Sequence, residues 1–213
     1  KYSLDGIGAY HLTLGRNKKS VELDLKSEDG SKLFKELVSV ADVVVDNFSQ
    51  GVTKRLGIDH QSLKKVNPKI ITCSISGFGD TEVNRPAYDN LIQGYAGAMS
   101  ITGTDKENPV KSGIPIADLG AGLYAVIGIL SAIQSREKSD SGEHVDISML
   151  DTQVSLLTYM ATMHFLSGEN PEPIGNQHMN HVPFNSYKTS DGFIQIGVVA
   201  EDFWPSLIKA LDL

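Results

Sequence analysis

Two β-branched runs constrain this chain more than any other feature. ADVVVDNF at 41–48 and KIITCSIS at 69–76 are too short to bury a helical face, and Val, Ile and Thr favour a pleated backbone. Helical periodicity surrounds them. Ser27 caps a helix expected over 28–40, with Leu33, Phe34 and Leu37 on one face. Short helices are expected at about 52–56 and 59–66, and Asn67-Pro68 leads into the second run. NKKSVELDL alternates Val21, Leu23 and Leu25 as a strand should, and HVDIS at 144–148 reads as another. Strands that alternate with helices, and are apolar on both faces, argue for a parallel sheet in an α/β fold.

The second half of the chain is mostly helical. Residues 80–86 are polar and turn-rich, a surface loop, and helices are expected at about 88–99, 119–136 and 149–166. SGENPEPIGNQ breaks the pattern with Pro171, Pro173 and Gly175, YKTSDGFIQIGVV reads as a β-hairpin about Ser190-Asp191-Gly192, and Glu201 opens a helix. The expected division is 1–170 for a large α/β domain, 171–182 for a crossover linker and 183–213 for the beginning of a smaller α+β domain.

Composition excludes several classes of partner. The 213 residues, 40% hydrophobic, suffice for one sizeable core and the edge of a second domain. A net charge of −7, with 19 scattered Lys and Arg, lacks the basic patch of a nucleic-acid binder. The longest unbroken apolar run, Leu123–Leu130, falls short of the roughly 20 residues of a membrane span, so no membrane partner is expected. Cys73 stands alone in a strand, which forbids an intrachain disulfide and suits a reducing, cytoplasmic compartment. The chain opens on KYSLDG without Met and closes on what reads as mid-helix, as a piece of a longer protein would.

The chemistry centres on SGIPIADLGAGLYA at 112–125. Gly120, Gly122 and Ala125 fit the G-x-G-x-x-[GA] pattern of a dinucleotide site. Pro115 interrupts the strand such a site needs, however, and Asp118 puts a negative charge where the pyrophosphate belongs. Asp118 also reads as an N-cap, stabilising by about 1 kcal/mol. A cap leaves the glycines unexplained. Two in a first turn cost about 1 kcal/mol each, which close packing or a close ligand should offset.

Weaker candidates surround that segment. His178 and His181 have no Cys and no third ligand beside them and read as a loop pair, so no metal site is expected. His60, His144 and His164 stand alone in the sequence, Tyr88-Asp89 suits a helix cap, and no G-x-S-x-G elbow or Walker loop occurs.

Taken in order, NKKSVELDLKS, ADVVVDNF with RLG, NPKIITCSISGFG, RPAYDNLIQGYAGAMSITG, PIADLGAGLYAVIGILSAIQSREKSDSGEHVDISMLD and GNQHMNHVPFNSYKTSDGFIQI cover nearly the whole chain. This set resembles the class III CoA-transferase family, which holds formyl-CoA transferase, carnitine CoA-transferase and α-methylacyl-CoA racemase. The resemblance implies a Rossmann-like open, mainly parallel sheet flanked by helices. It also implies that a first βα unit precedes Lys1, that most of the small domain follows Leu213, and that the protein forms an interlocked homodimer.

The same resemblance implies transfer of CoA from an acyl-CoA donor to a carboxylic acid acceptor, with no resident cofactor. Asp118 takes the position of the family's nucleophile, passing through an acyl-aspartyl anhydride and an aspartyl-CoA thioester. Leu23, Lys26, Asn47, Phe48, Arg55 and Leu56 take the positions of its CoA contacts, with Lys26 and Arg55 suited to phosphates. By residue type alone the charged pair reads as surface, and Leu23, Phe48 and Leu56 read as core.

Two departures narrow the reading. Tyr88 stands where the racemases carry a histidine base, and a tyrosine is a poor proton shuttle at neutral pH. The glycine-rich lid of formyl-CoA transferase is replaced by Gly175-Asn176-Gln177-His178, which leaves the acyl partners open. A racemase and a CoA-binding protein without catalysis remain as alternatives.

Overall fold

The hydroxyl of Ser27 accepts a hydrogen bond from the Gly30 amide at 3.0 Å and starts the first long helix where its sequence signal lies. The computed structural model describes residues 2–83 and 85–213. A two-stranded ribbon, β1 (Ser3–Leu4) and β2 (Ile7–Gly8), precedes helix α1 (Ala9–Leu14). Then come α2 (Glu28–Val40), β3 (Val43–Asp46), α3 (Val52–Leu56), α4 (His60–Lys64), β4 (Ile71–Ser76) and α5 (Asp89–Tyr95). The remainder runs α6 (Ile116–Ser139), β5 (His144–Ser148), α7 (Met149–Ser155), α8 (Tyr159–Ser167), the strands β6 (Phe184–Lys188) and β7 (Phe193–Gly197), and α9 (Trp204–Ala210).

The α/β expectation holds. Strands β3, β4 and β5 form a parallel sheet in that order, with Val45 opposite Cys73 and Cys73 opposite Val145. The expectation that these strands are apolar on both faces does not hold. Register puts Val45, Cys73 and Val145 on one face, and Asp46, Ser74 and Asp146 on the other. Helix α6 covers the first face, and the cluster that holds Val38 of α2 reaches the second at Val44. Helix α6 lies on the first face so closely that a Cβ on Gly128 would come within 2.7 Å of Val145 Cγ1. Arg136 ties the far end of α6 to the sheet, reaching the Asp42 carboxylate at 2.9 Å and the Lys69 carbonyl at 3.1 Å.

Several boundaries differ from expectation. Val21–Leu25 forms no ladder among the described residues: alternation records which side chains share a face, but a strand also needs a neighbour, and Leu25 packs instead against the cluster of Val38, Ile58, Leu63 and Ile70. The helix expected over 88–99 stops at Tyr95, and Gly97 turns left-handed at φ 79° before a short 3-10 turn at Ala98–Ile101. The helix expected over 149–166 breaks into α7 and α8 at Thr158, a β-branched residue held at φ 50°. Periodic Val154, Leu157 and Met160 carry no sign of that break. The hairpin about Ser190–Gly192 forms as expected, with Phe184 opposite Gly197.

Helix α6 is apolar over a greater length than its longest unbroken run. By length and composition it could cross a membrane, which the unbroken run Leu123–Leu130 did not reveal, because Gly, Ala and Ser interrupt a helix that is apolar on average. In this fold it buries Ala117, Gly120, Ala121, Ala125 and Ala132. Its outer side exposes Leu123, Val126, Ile127 and Leu130.

Candidate active site

The carboxyl ends of β3 and β4 and the start of α6 enclose a cavity of about 730 Å³. This is where open α/β sheets place their ligands, beyond the strand ends. Asn47 and Phe48 follow β3, Gly77–Gly79 follow β4, and Asp118 and Gly122 reach the cavity from α6. Tyr88, Asp89 and Arg85 close another side. Part of the segment expected as a plain surface loop at 80–86 therefore walls the cavity.

Each wall is held by contacts across the sheet end. Asn47 donates to the Ile75 carbonyl at 2.5 Å, and the Asp46 carboxylate accepts from the Phe48 amide at 3.2 Å and the Ser74 hydroxyl at 2.6 Å. Asp146 accepts from the Asp80 amide at 2.7 Å, and a Cβ on Gly79 would sit 2.9 Å from that carboxylate.

Asp118 is not the N-cap that its place in the sequence suggests. Helix α6 begins at Ile116, so Asp118 lies inside the first turn with an exposed side chain, and Pro115 occupies the cap position without a side-chain bond. The cap comes from elsewhere. Asp89 Oδ1 accepts from the Ala117 amide at 2.9 Å and the Asp118 amide at 3.4 Å. The other first-turn amides are also taken, Ile116 by the Ile114 carbonyl and Leu119 by the Pro115 carbonyl. No free amide remains there to cradle a pyrophosphate, which disposes of the dinucleotide reading. Partial desolvation at the cavity wall, and then the Asp89 charge, push the Asp118 carboxyl above its ordinary value, although the side chain stays open to solvent.

The two glycines have different reasons. A Cβ on Gly120 would approach Leu156 Cδ1 and Thr152 Cγ2 at 3.1 Å, so Gly120 serves helix packing. A Cβ on Gly122 would meet nothing within 4 Å, and Gly122 keeps the cavity beside Asp118 open.

The cavity brings Asn47, Phe48 and Asp118 together and leaves the other sequence candidates off its wall. Leu23 is half-buried, Lys26 and Arg55 are exposed, and Leu56 packs against the cluster of Val38, Ile58, Leu63 and Ile70. Sequence reasoning missed Arg85 as a lining residue and missed the reach of Asp89 to α6. The available signal was Tyr88-Asp89 at a helix start, but nothing local says whose helix an Asp caps.

The histidines also depart from expectation. His60 and His144 do not stand alone: the Thr72 hydroxyl bridges them at 2.9 and 2.8 Å on the polar sheet face. His178 and His181 do form a pair, with ring centroids 4.5 Å apart. Among the described residues no three His, Cys, Asp or Glu side chains converge as metal ligands.

Fold and site together define an α/β protein with an exposed carboxylate on a cavity beyond the strand ends. The comparisons give the family. The model of CoA-transferase family III matches residues 1–213, and the chain belongs to that family. It is 38% identical over 192 residues to the succinate–glutarate CoA-transferase of Agrobacterium fabrum, covering 89% of this chain and 48% of that protein. With the human succinyl-CoA:glutarate CoA-transferase it shares 34% over 206 residues, covering 96% and 47% respectively. The crystal structure of a CAIB/BAIF family protein from Brucella suis superposes with a TM-score of 0.84 at 38% identity, covering 92% of this chain and 52% of that one. The chain spans about half the length of the curated relatives it matches.

Proposed function

We propose that the protein is a CoA-transferase that moves CoA from succinyl-CoA to a second carboxylic acid, with Asp118 as covalent nucleophile. The carrying observation is the exposed Asp118 carboxylate on a cavity shared with Asn47 and Phe48. The names of relatives support the donor, since succinyl-CoA recurs with glutarate, mesaconate and D-citramalate as partners.

In this reading an Asp118 oxygen attacks the thioester carbonyl. The carbon–sulfur bond breaks, CoA leaves as thiolate, and a mixed anhydride joins Asp118 to the succinyl group. Thiolate then attacks the aspartyl carbonyl, releasing succinate and leaving CoA on Asp118. The acceptor carboxylate attacks that thioester and expels thiolate, which takes the acyl group of the new anhydride and restores Asp118. Open space at Gly122 admits the successive acyl groups. The Rossmann-like extension of the sheet, the CoA contacts of Leu23, Lys26, Arg55 and Leu56, and the homodimer belong to the same proposal. The exposed stripe of Leu123, Val126, Ile127 and Leu130 on α6 supports a protein surface against it.

Intact-mass spectrometry of the full-length protein mixed with succinyl-CoA tests the reading. An adduct on the Asp118 peptide is expected, and Asp118→Asn should lose it together with at least about a thousandfold in turnover. Exchange of the α-proton of a 2-methylacyl-CoA with no adduct would move the assignment to a racemase.

A further inference from the structure

A carboxylate in the first turn of a helix ordinarily gains from the free amides and the helix dipole, which stabilise its anion and weaken it as a nucleophile. Asp118 is denied that help by a second carboxylate. Asp89, from a different helix, already holds the Ala117 and Asp118 amides on Oδ1. Its other oxygen, Oδ2, accepts from Gln93 Nε2 at 2.6 Å. Gln93 is almost fully buried, 1% exposed, and its Oε1 accepts from the Ser112 amide at 2.8 Å. The buried amide side chain is thereby used at both ends, and it fixes Asp89 between α5 and the segment that leads into α6.

We propose that Asp89 is a positioning residue that keeps Asp118 a strong nucleophile: it occupies the amides that would otherwise stabilise the Asp118 anion and sets its own charge beside it. This rests on the reading of Asp118 as nucleophile. Partial desolvation and the Asp89 charge both push the Asp118 carboxyl up. Arg85 and Tyr88 are the other ionisable groups on the cavity wall. Around α6, the packed elements carry Tyr95 on α5, Cys73 on β4, His144 and Asp146 on β5, and Asp151 on α7. His144 and Asp146 share the register of Thr72 and Ser74, on the sheet face turned away from α6. A neutral amide in place of Asp89 would keep an acceptor for the helix start and remove the charge, at the loss of the Oδ2 acceptor for Gln93 Nε2.

The test is the rate of adduct formation on Asp118 with succinyl-CoA, followed by quenched mass spectrometry from pH 4 to 8 in the full-length protein, Asp89→Asn and Asp89→Ala. For Asp89→Asn the acid limb should move to lower pH and adduct formation at neutral pH should slow about three- to tenfold, with a modest drop in melting temperature from the lost Gln93 contact. Asp89→Ala should displace the limb further still, since it also frees the Ala117 and Asp118 amides, and should lower the melting temperature more, since it loses the cap. An unmoved limb in Asp89→Asn, whatever its rate or stability, would reduce Asp89 to a structural cap and overturn the proposal. Parent protein that turns over without any adduct would overturn the nucleophile reading, and this inference with it.

Discussion

The apolar cluster beneath α2 and the one beneath α6 lie on opposite faces of one sheet and are built from different residues. The first joins Val38, Ile58, Leu63 and Ile70, with Val44 of β3 and Phe34 packed against it. The second joins Ile92, Ala117, Ala121 and Met149, with Ile75 and Ile147 from the strands. Large aliphatic side chains fill the first, whereas the second has two alanines at its centre and the buried amide of Gln93 beside it. Small residues bring α6 close to the sheet, and the close approach holds Asp118 at the cavity. One cluster is devoted to burial; the other gives up apolar bulk to position a carboxylate.

Substitutions can break that comparison in order of expected effect. Leu63→Ala, at a fully buried position, should lower unfolding free energy by about 2–5 kcal/mol in denaturant titrations while the succinyl-CoA adduct still forms on the folded fraction. Loss of the adduct in folded protein would show that the two clusters are coupled. The glycines sharpen the contrast within α6. Gly120→Val should destabilise by about 1–3 kcal/mol through overpacking against Leu156 and Thr152. Gly122→Ala should instead stabilise by roughly 0.5–1 kcal/mol, because helix propensity rises where nothing is crowded. A reversed order would place the open space at Gly120.

The smallest effect belongs to the polar sheet face. Burial, then the charges of His144 and Lys64, outweigh Asp59 and hold His60 below its ordinary value near 6.5. The unfolded chain therefore binds more protons than the folded one between the two values. Stability from this group is present above about pH 6.5 and is lost as pH falls through the folded value. His60→Gln should flatten urea stability between pH 5 and 7. An unchanged slope would assign the acid sensitivity to other groups.

Much of the fold was legible because its signals are local. Ser27 capping α2, the hairpin about Ser190–Gly192 and the β-branched runs of β3 and β4 each depend on backbone sterics within a few residues. Val21–Leu25 misled for the complementary reason: its alternation was real, but a ladder requires a partner that periodicity cannot supply. Of the residues on the cavity wall, Asp118, Asn47 and Phe48 were candidates by sequence and Arg85 was not, because a loop residue carries no mark of the cavity it will face.

The sequence by itself determined the alternation of strands and helices around β3, β4 and β5, the parallel α/β class and the place of Asp118 at the head of an apolar helix. Tertiary structure alone decided that Asp118 is no cap, that Asp89 takes its amides, that Gly120 packs while Gly122 stays open, and that Thr72 joins His60 to His144. The physical reason is range. Propensity and periodicity act between near neighbours, but a hydrogen bond from Asp89 to a helix that starts at Ile116 exists only once the sheet has brought the two together.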